Sequence, residues 1–209
     1  EKGYLWMIPK CDGRANVGLV TEDKPRTKKA LDEFIEITHF KDLEQVPPPW
    51  KDKGNPAFGG TIPISGPYEL TYDDGLMLVG DAASFTSPLF EGGSHLALKS
   101  ATFAASVAAE QIASGDLSAA KMSRYQKLWS DEFPPYGKIL QGKSALFDLS
   151  DDDMSLMARC FPDEMSDMGP HGKLAVCLRI LFRRPSLYTK RIIPAMLSFG
   201  YSRAKFYGW

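Results

Sequence analysis

The segment that most constrains the fold is LMLVGDAASFTSPLFEGGS at residues 76–94, where an apolar run meets a turn of small residues. The apolar run from Leu76 to Val79 predicts a short buried strand. The alanine-rich stretch from Leu89 to about Ala113 predicts a long helix that ends at Gly115. Because ligands of open sheets bind in crevices beyond strand ends, this strand–turn–helix unit predicts a ligand site.

The first half of the turn suits a ligand that carries hydroxyl groups. Gly80 allows a ligand to approach the backbone closely. Asp81 offers a carboxylate that only accepts hydrogen bonds, which fits sugar or polyol hydroxyls, and Ala82 keeps the turn narrow. The simpler interpretation of Asp81 is a turn or cap residue.

The second half of the turn suits an electron-rich group. Pro88 lacks an N–H and is expected to set the entry to the helix. Gly92 and Gly93 then leave the backbone N–H groups of the first helical turn accessible. That positive helix end favours a phosphate or the pyrimidine edge of a flavin.

The residues before this unit predict an antiparallel sheet. Two β-rich runs, residues 3–9 and 15–21, flank an Asp-Gly turn that is typical of a hairpin. Residues 25–38 place apolar side chains on one helical face, and the Pro- and Gly-rich residues 45–60 predict a loop. Residues 60–65 predict a third strand, placed at an edge by its proline. We expect this sheet to lie against the strand–turn–helix unit.

The residues after the unit predict a helical tail, divided by prolines. Ser150 followed by Asp153 is typical of a helix cap. The fold class is therefore mixed, α+β or α/β, with regions 1–75, 76–115 and 116–209. The expected tail helices span residues 118–132, 136–149, 151–161, 172–183 and 186–199.

Composition narrows the class of protein. The 209 residues are 44% hydrophobic and 24% charged, which allows an ordinary core. The net charge of −1 gives no general attraction to nucleic acid, and no apolar run is long enough to span a membrane. Cys11, Cys160 and Cys177 lie far apart, which indicates a reducing, cytoplasmic environment and no structural metal.

Charge is distributed unevenly near the end of the chain. Residues 148–167 contain seven acids and one base, whereas residues 173–209 contain eight bases and no acid. One interpretation is two solvated surfaces that pair with each other. The alternative is a basic tail that contacts phosphate or the headgroups of an anionic membrane, which would place the protein peripherally at a membrane surface.

Three segments in order carry a resemblance to a known family: YLWMIPKCDGRANVGL, GGTIPISGP and VGDAASFTSP. Together they resemble the geranylgeranyl reductase family of FAD-dependent oxidoreductases. That family has an aromatic-rich YxWxFPK strand, an ANVG strand and a turn like GDAAGFVxPLTGEG in this order. The resemblance covers about residues 3–130 and implies the C-terminal part of a reductase–hydroxylase fold.

The resemblance implies roles for residues of the turn. Asp81 would bind the ribityl or pyrophosphate-side hydroxyls of FAD, and Gly92 and Gly93 would face the N1/C2 side of the flavin. Glu91 departs from the family pattern because it replaces the first residue of a Gly-Glu-Gly stretch. Its carboxylate would either disfavour the reduced flavin or point to solvent.

The resemblance also implies a substrate channel. Tyr4, Trp6 and Pro9 would lie on a strand beside the flavin and wall this channel, although ordinary strand packing is an equal alternative for the two aromatic residues. His95, on the predicted helix, is interpreted as a packed or surface residue.

The implied activity is the reduction of isolated C=C bonds in prenyl chains, with hydride from N5 of reduced flavin and a proton from another donor. No residue here is a convincing donor, so the catalytic residues are unassigned. The family's GxGxxG fingerprint is absent from these residues, so the dinucleotide-binding half is expected elsewhere, in the same or a separate chain. The alternatives are electron transfer to quinone, hydroxylation, or a fragment or lipid-interaction domain without flavin.

Overall fold

The structure, a computed structural model, describes residues 3–37, 59–162, 169–188 and 192–202. The chain divides into two compact units, Glu1–Gly60 and Thr61–Trp209. Most of the Pro- and Gly-rich segment predicted as a loop lies outside the described residues. Among the described helices, none combines the length and apolarity needed to cross a bilayer.

The first unit contains the predicted hairpin and helix. Strand β1 (Gly3–Pro9) pairs antiparallel with β2 (Ala15–Thr21), with Gly3 opposite Thr21 and Pro9 opposite Ala15. The connecting turn has its glycine at φ +77°, a backbone conformation that favours glycine. Helix α1 (Thr27–Ile37) follows a short 3₁₀ turn, so the prediction of a helix over residues 25–38 is confirmed.

The predicted third strand is wrong. Residues 61–65 form no strand, and no described strand pairs with them. Pro63 has no N–H to donate to a ladder, and Pro67 follows closely, so the segment cannot form a regular edge strand. The packing of the sheet against the strand–turn–helix unit stays a prediction.

In the second unit, the strand that precedes the turn is shorter than the sequence predicts. Strand β3 (Tyr72–Asp73) pairs antiparallel with β4 (Leu76–Met77). Leu76 is 50% exposed and Val79 is 36% exposed, so the prediction of a buried strand from Leu76 to Val79 is wrong in length and burial. Among the described residues β4 has one partner, and a two-stranded ribbon cannot cover both of its faces.

The helices of the second unit have bounds close to those predicted, except that two of them begin later. The long helix begins five residues later than predicted, at Ser94, and Gly115 closes it in a left-handed conformation with φ +73°. Residues 185–188 form a 3₁₀ turn, so the helix predicted at 186–199 begins instead at Ile192. The helices are α2 (Ser94–Ser114), α3 (Ala119–Glu132), α4 (Tyr136–Phe147), α5 (Asp151–Ala158), α6 (Pro170–Arg183) and α7 (Ile192–Tyr201).

Helix α3 holds the short β3–β4 ribbon and the turn in place. The indole N–H of Trp129 donates to Thr71 Oγ1 at 2.8 Å, and the Tyr125 hydroxyl donates to the Leu78 carbonyl at 2.6 Å. The ring of Phe85, in the turn, lies 4.9 Å from the rings of both Trp129 and Phe133. The main core of the second unit therefore lies directly beneath the turn.

Candidate flavin-binding site

Gly80 opens the turn in a conformation that favours glycine. Its φ is +56°, and a Cβ at this position would lie 3.1 Å from the Cβ of Ala97. The N–H of Gly80 donates to Ser100 Oγ at 3.1 Å, and its carbonyl accepts from the N–H of Phe85 at 3.0 Å. The residue is buried, so its function in the described unit is to let the turn pack against α2.

Asp81 follows on the exposed side of the turn, next to the exposed Ala82. Its Oδ1 accepts a hydrogen bond from the Thr86 hydroxyl at 3.0 Å. A Cβ on Gly93 would lie 3.2 Å from the same oxygen, so the carboxylate lies directly against the start of α2. The side chain is thus oriented by Thr86 and still accessible to a hydroxyl-bearing ligand.

The turn then folds back on itself between Ser87 and Gly92. The N–H of Ser87 donates to the Gly92 carbonyl at 2.9 Å, and the N–H of Glu91 donates to the Ser87 carbonyl at 3.0 Å. Pro88 is fully buried within this loop. The prediction that Pro88 sets the entry to the helix is therefore wrong, because α2 begins only at Ser94.

The N-terminus of α2 and the side chain of Asp81 lie at the same cavity. Gly93 is the N-cap of α2, and its carbonyl accepts from the Ala97 N–H at 2.8 Å. A cavity of about 370 Å³ lies at this point. Its lining residues are Ile62, Asp81, Glu91, Gly93, Ser94 and Ala97. Of the predicted cofactor-binding residues, Asp81 and Gly93 line it, whereas Gly80, Ala82, Pro88 and Gly92 do not.

The side chains at this cavity fit the group that the sequence implies. A carboxylate that accepts hydrogen bonds and a helix N-terminus that donates them lie against one space. A flavin carries ribityl hydroxyls as donors and pyrimidine carbonyls as acceptors, which matches that donor and acceptor set. The residues present are therefore compatible with a flavin, and the individual contacts stay a prediction.

Two non-glycine residues of the described chain have a positive φ, and both lie in this turn: Ser84 at 61° and Glu91 at 51°. The family pattern GDAAGFVxPLTGEG has glycine at both positions. The turn thus keeps the left-handed backbone of a glycine while bearing side chains, which costs on the order of 1–3 kcal/mol per residue. The sequence comparison with that pattern identified Glu91 as a replacement of glycine, and the same comparison would have identified Ser84.

Glu91 is buried rather than directed to solvent. Its carboxylate lies 3.9 Å from the ammonium of Lys143 on α4, and the two side chains are only 5% and 8% exposed. The expectation that Glu91 points to solvent is therefore wrong. Lys143 was not found by sequence reasoning, because nothing in the local sequence of α4 distinguishes a lysine that reaches the turn from one at the surface.

Tyr125 supports the chain just before the turn. Burial raises the pKa of Tyr125 to about 12, and a hydrogen bond involving Ser100 opposes that shift. The hydroxyl therefore remains protonated and continues to donate to the Leu78 carbonyl through the neutral pH range.

The predicted substrate-wall residues lie in the first unit and do not share one face. Tyr4 lines an apolar cavity of about 260 Å³ together with Leu19 and Phe34. The Trp6 ring covers its strand partner, since a Cβ on Gly18 would lie 2.3 Å from it. Pro9 is exposed and lies on the opposite face of β1, because side chains alternate along a strand. Substrate contact stays a prediction for all three.

Comparison with known proteins shows that the chain is similar to proteins of the geranylgeranyl reductase-like class. No family model matches the chain. A solved structure described as geranylgeranyl bacteriochlorophyll reductase-like, from Thermoplasma acidophilum, has a TM-score of 0.68 and 27% identity. The match covers 89% of this chain and 46% of that one. The mixed helix-and-sheet fold class is thereby confirmed.

Sequence similarity to curated proteins points to the same class. The chain is 36% identical to Digeranylgeranylglycerophospholipid reductase 2 of Methanothermobacter thermautotrophicus, over 88% of this chain and 46% of the relative. It is 37% identical to Digeranylgeranylglycerophospholipid reductase of Methanocaldococcus jannaschii, over the same shares, 88% and 46%. The chain is thus a relative of the geranylgeranyl reductases, and the sequence resemblance is confirmed. It spans about half the length of these curated relatives.

Proposed function

We propose that the chain forms part of an FAD-dependent oxidoreductase that reduces C=C bonds of prenyl (geranylgeranyl) groups on a lipid or pigment precursor. The observation that carries the proposal is the meeting of Asp81 and the N-terminus of α2 at one cavity. This arrangement occurs in a chain whose relatives are named as reductases of digeranylgeranyl phospholipids.

In this proposal Asp81 accepts hydrogen bonds from flavin hydroxyls, and Thr86 holds the carboxylate in place. The start of α2 at Gly93 and Ser94 presents donors to the electron-rich edge. Bound FAD supplies the hydride for the reduction. No residue is assigned as the proton donor.

We further propose that the ADP half of FAD is held by residues outside this chain, in the same polypeptide or another. The chain spans about half the length of its relatives, which leaves room for a dinucleotide-binding region. The apolar cavity beside Tyr4 would then form part of the prenyl channel.

The decisive experiment uses this chain together with the residues proposed to hold the ADP half of FAD, whether they belong to the same polypeptide or to another. We expect a flavin absorbance spectrum and, after chemical reduction, hydrogenation of a geranylgeranyl lipid detected by mass spectrometry. Rapid reoxidation by a quinone without lipid hydrogenation would favour electron transfer instead. A colourless protein that binds lipid would favour an interaction domain, and either result would overturn the proposal.

A peripheral contact with an anionic membrane is the second part of this proposal. On α6 the apolar side chains of Leu174, Leu178 and Phe182 are 58%, 42% and 81% exposed, and their spacing places them on one side of the helix. Lys173 and Arg179 lie on the same helix, which contains no acid. An exposed apolar stripe beside cations suits the interface of an anionic bilayer.

A contact among the described residues supports the competing account, in which the bases neutralise the acids of 148–167. Arg184 lies 3.0 Å from Asp153. Other members of the two charged segments, including Asp163, Glu164, Lys190 and Arg203, lie outside the described residues.

Vesicle sedimentation separates the two accounts. We expect binding to vesicles that contain anionic lipid, weakening with salt, and a several-fold loss in L178Q/F182Q. The control is I112Q, because Ile112 is also exposed, at 67%, but lies on α2. Equal binding to neutral vesicles, or none to either kind, would remove the membrane from the proposal.

A further inference from the structure

The ion pair between Glu91 and Lys143 connects the wall of the flavin cavity to a helix that does not line it. Glu91 lines the cavity together with Asp81 and Gly93, whereas Lys143 belongs to α4. The carboxylate and ammonium lie 3.9 Å apart. The charge balance at this cavity therefore depends on a residue 52 positions further along the chain.

Burial makes this pair different from the exposed ion pairs of the same unit. The side chains of Glu91 and Lys143 are 5% and 8% exposed, whereas those of Glu110 and Arg124 are 55% and 50% exposed. A carboxylate removed from water is unfavourable unless an opposite charge compensates it, and Coulomb interactions are strongest where solvent is excluded. Lys143 also lies 5.3 Å from the centre of the Phe147 ring, which restricts its position.

The backbone at Glu91 also needs an explanation. A residue with φ 51° is strained unless its surroundings hold it, and glycine would occupy this position without strain. The carboxylate lies at the cavity wall, so its charge acts on any group bound there.

We propose that Lys143 is a positioning residue that holds Glu91 in the turn and neutralises its charge at the cavity. The neutralised carboxylate then does not oppose the negative charge that a bound flavin gains on reduction. The effect on the flavin rests on the proposed function, whereas the effect on the turn does not. Lys143 acts through Glu91 and is not itself placed against the ligand.

The test measures the flavin midpoint potential at fixed pH and the melting temperature in this chain combined with the residues proposed to hold the ADP half of FAD. We expect K143M to lower the potential, because it removes the positive charge that lies beside the Glu91 carboxylate at the cavity. We expect E91Q to raise it, because it removes the negative charge at the cavity wall and leaves the positive charge of Lys143 in place. The double variant E91Q/K143M and the conservative variant K143R should lie close to the unchanged protein.

The melting temperature distinguishes the loss of the buried ion pair from the loss of a surface charge. K143M should melt about 10 °C lower, and the double variant should recover most of that loss. The matched control is R124M, which breaks the exposed pair with Glu110 and should change neither measurement.

Opposite shifts in the two single variants, with recovery in the double variant, would support the proposal. If both single variants shift the midpoint potential in the same direction, or neither shifts it, the proposed effect on the flavin is overturned. If the singles fail to fold and the double variant folds, the pairing is supported; if the double also fails, it is overturned. A protein without flavin would overturn the proposed function and with it the charge effect, while an unchanged melting temperature in K143M would overturn the turn-holding part.

Discussion

The turn at residues 80–93 and the β1–β2 hairpin are both built on glycines with a left-handed backbone, yet they differ in what surrounds them. Residues 83–89 of the turn are all buried, whereas Leu5, Met7 and Ile8 of the hairpin are 48%, 45% and 53% exposed. The turn is fixed by contacts with α2 and α3, while the hairpin is fixed mainly by its own ladder. Substitutions in the turn should therefore affect more than one element.

The largest effect is expected for D81A, measured as flavin retention in this chain combined with the residues proposed to hold the ADP half of FAD. Loss of a hydrogen bond to a charged acceptor costs about 1.5–3 kcal/mol, or roughly 10- to 150-fold in the dissociation constant. The exposed Asp131 on α3 provides the control, and D131A should retain flavin fully. Unchanged flavin occupancy in D81A after dilution would contradict the assignment of Asp81.

The next prediction compares one glycine from each region. G80A should reduce the free energy of unfolding by about 2–3 kcal/mol, because the new Cβ adds a close contact to an unfavourable φ. Its contact with the Ala97 Cβ would be 3.1 Å, whereas a Cβ on Gly13 would meet nothing within 4 Å. G13A should therefore cost only about 1 kcal/mol. Equal losses in urea unfolding would show that the packing of Gly80 is unimportant.

The features that sequence reasoning predicted correctly depend on neighbouring residues. The left-handed Gly115 closes α2, and Ser150 Oγ accepts from the Asp153 N–H at 3.2 Å, because caps are set within a few positions. The features that it missed depend on distant contacts. No local pattern connects Glu91 with Lys143, and the exposure of Leu76 depends on how many strands pair with β4.

A smaller effect of opposite sign is expected at Ser84. Its φ of 61° is one that glycine adopts without strain, so S84G should stabilise the protein by about 1 kcal/mol. The side chain is buried and its Oγ has no hydrogen-bond partner among the described residues, so little is lost with the hydroxyl. E91G relieves the same strain but removes the carboxylate that lies beside the buried Lys143 ammonium, so it should destabilise the protein. Stabilisation by both substitutions in thermal unfolding would show that the ion pair contributes nothing.

The smallest effect is expected in the pH dependence of stability, through the hydrogen bond from Tyr125 to the Leu78 carbonyl just before the turn. The pKa of Tyr125 is raised to about 12 in the folded protein, from an ordinary value of 10.0. Because the folded state retains this proton more strongly than the unfolded state, the contribution is fully present below pH 10 and is lost as pH rises toward 12. At about pH 10.5 the loss should be less than about 1 kcal/mol.

The comparison of wild type with Y125F isolates this contribution from the other groups that titrate in alkali. Y125F should be less stable at neutral pH, because the Leu78 carbonyl loses its donor, but its stability should fall less between pH 8 and 10.5. The exposed Tyr68, at 55%, provides the control, and Y68F should follow the wild-type curve. Parallel curves for wild type and Y125F in urea unfolding would mean that burial of Tyr125 does not hold its proton. The support beneath the turn would then not depend on the protonation of Tyr125.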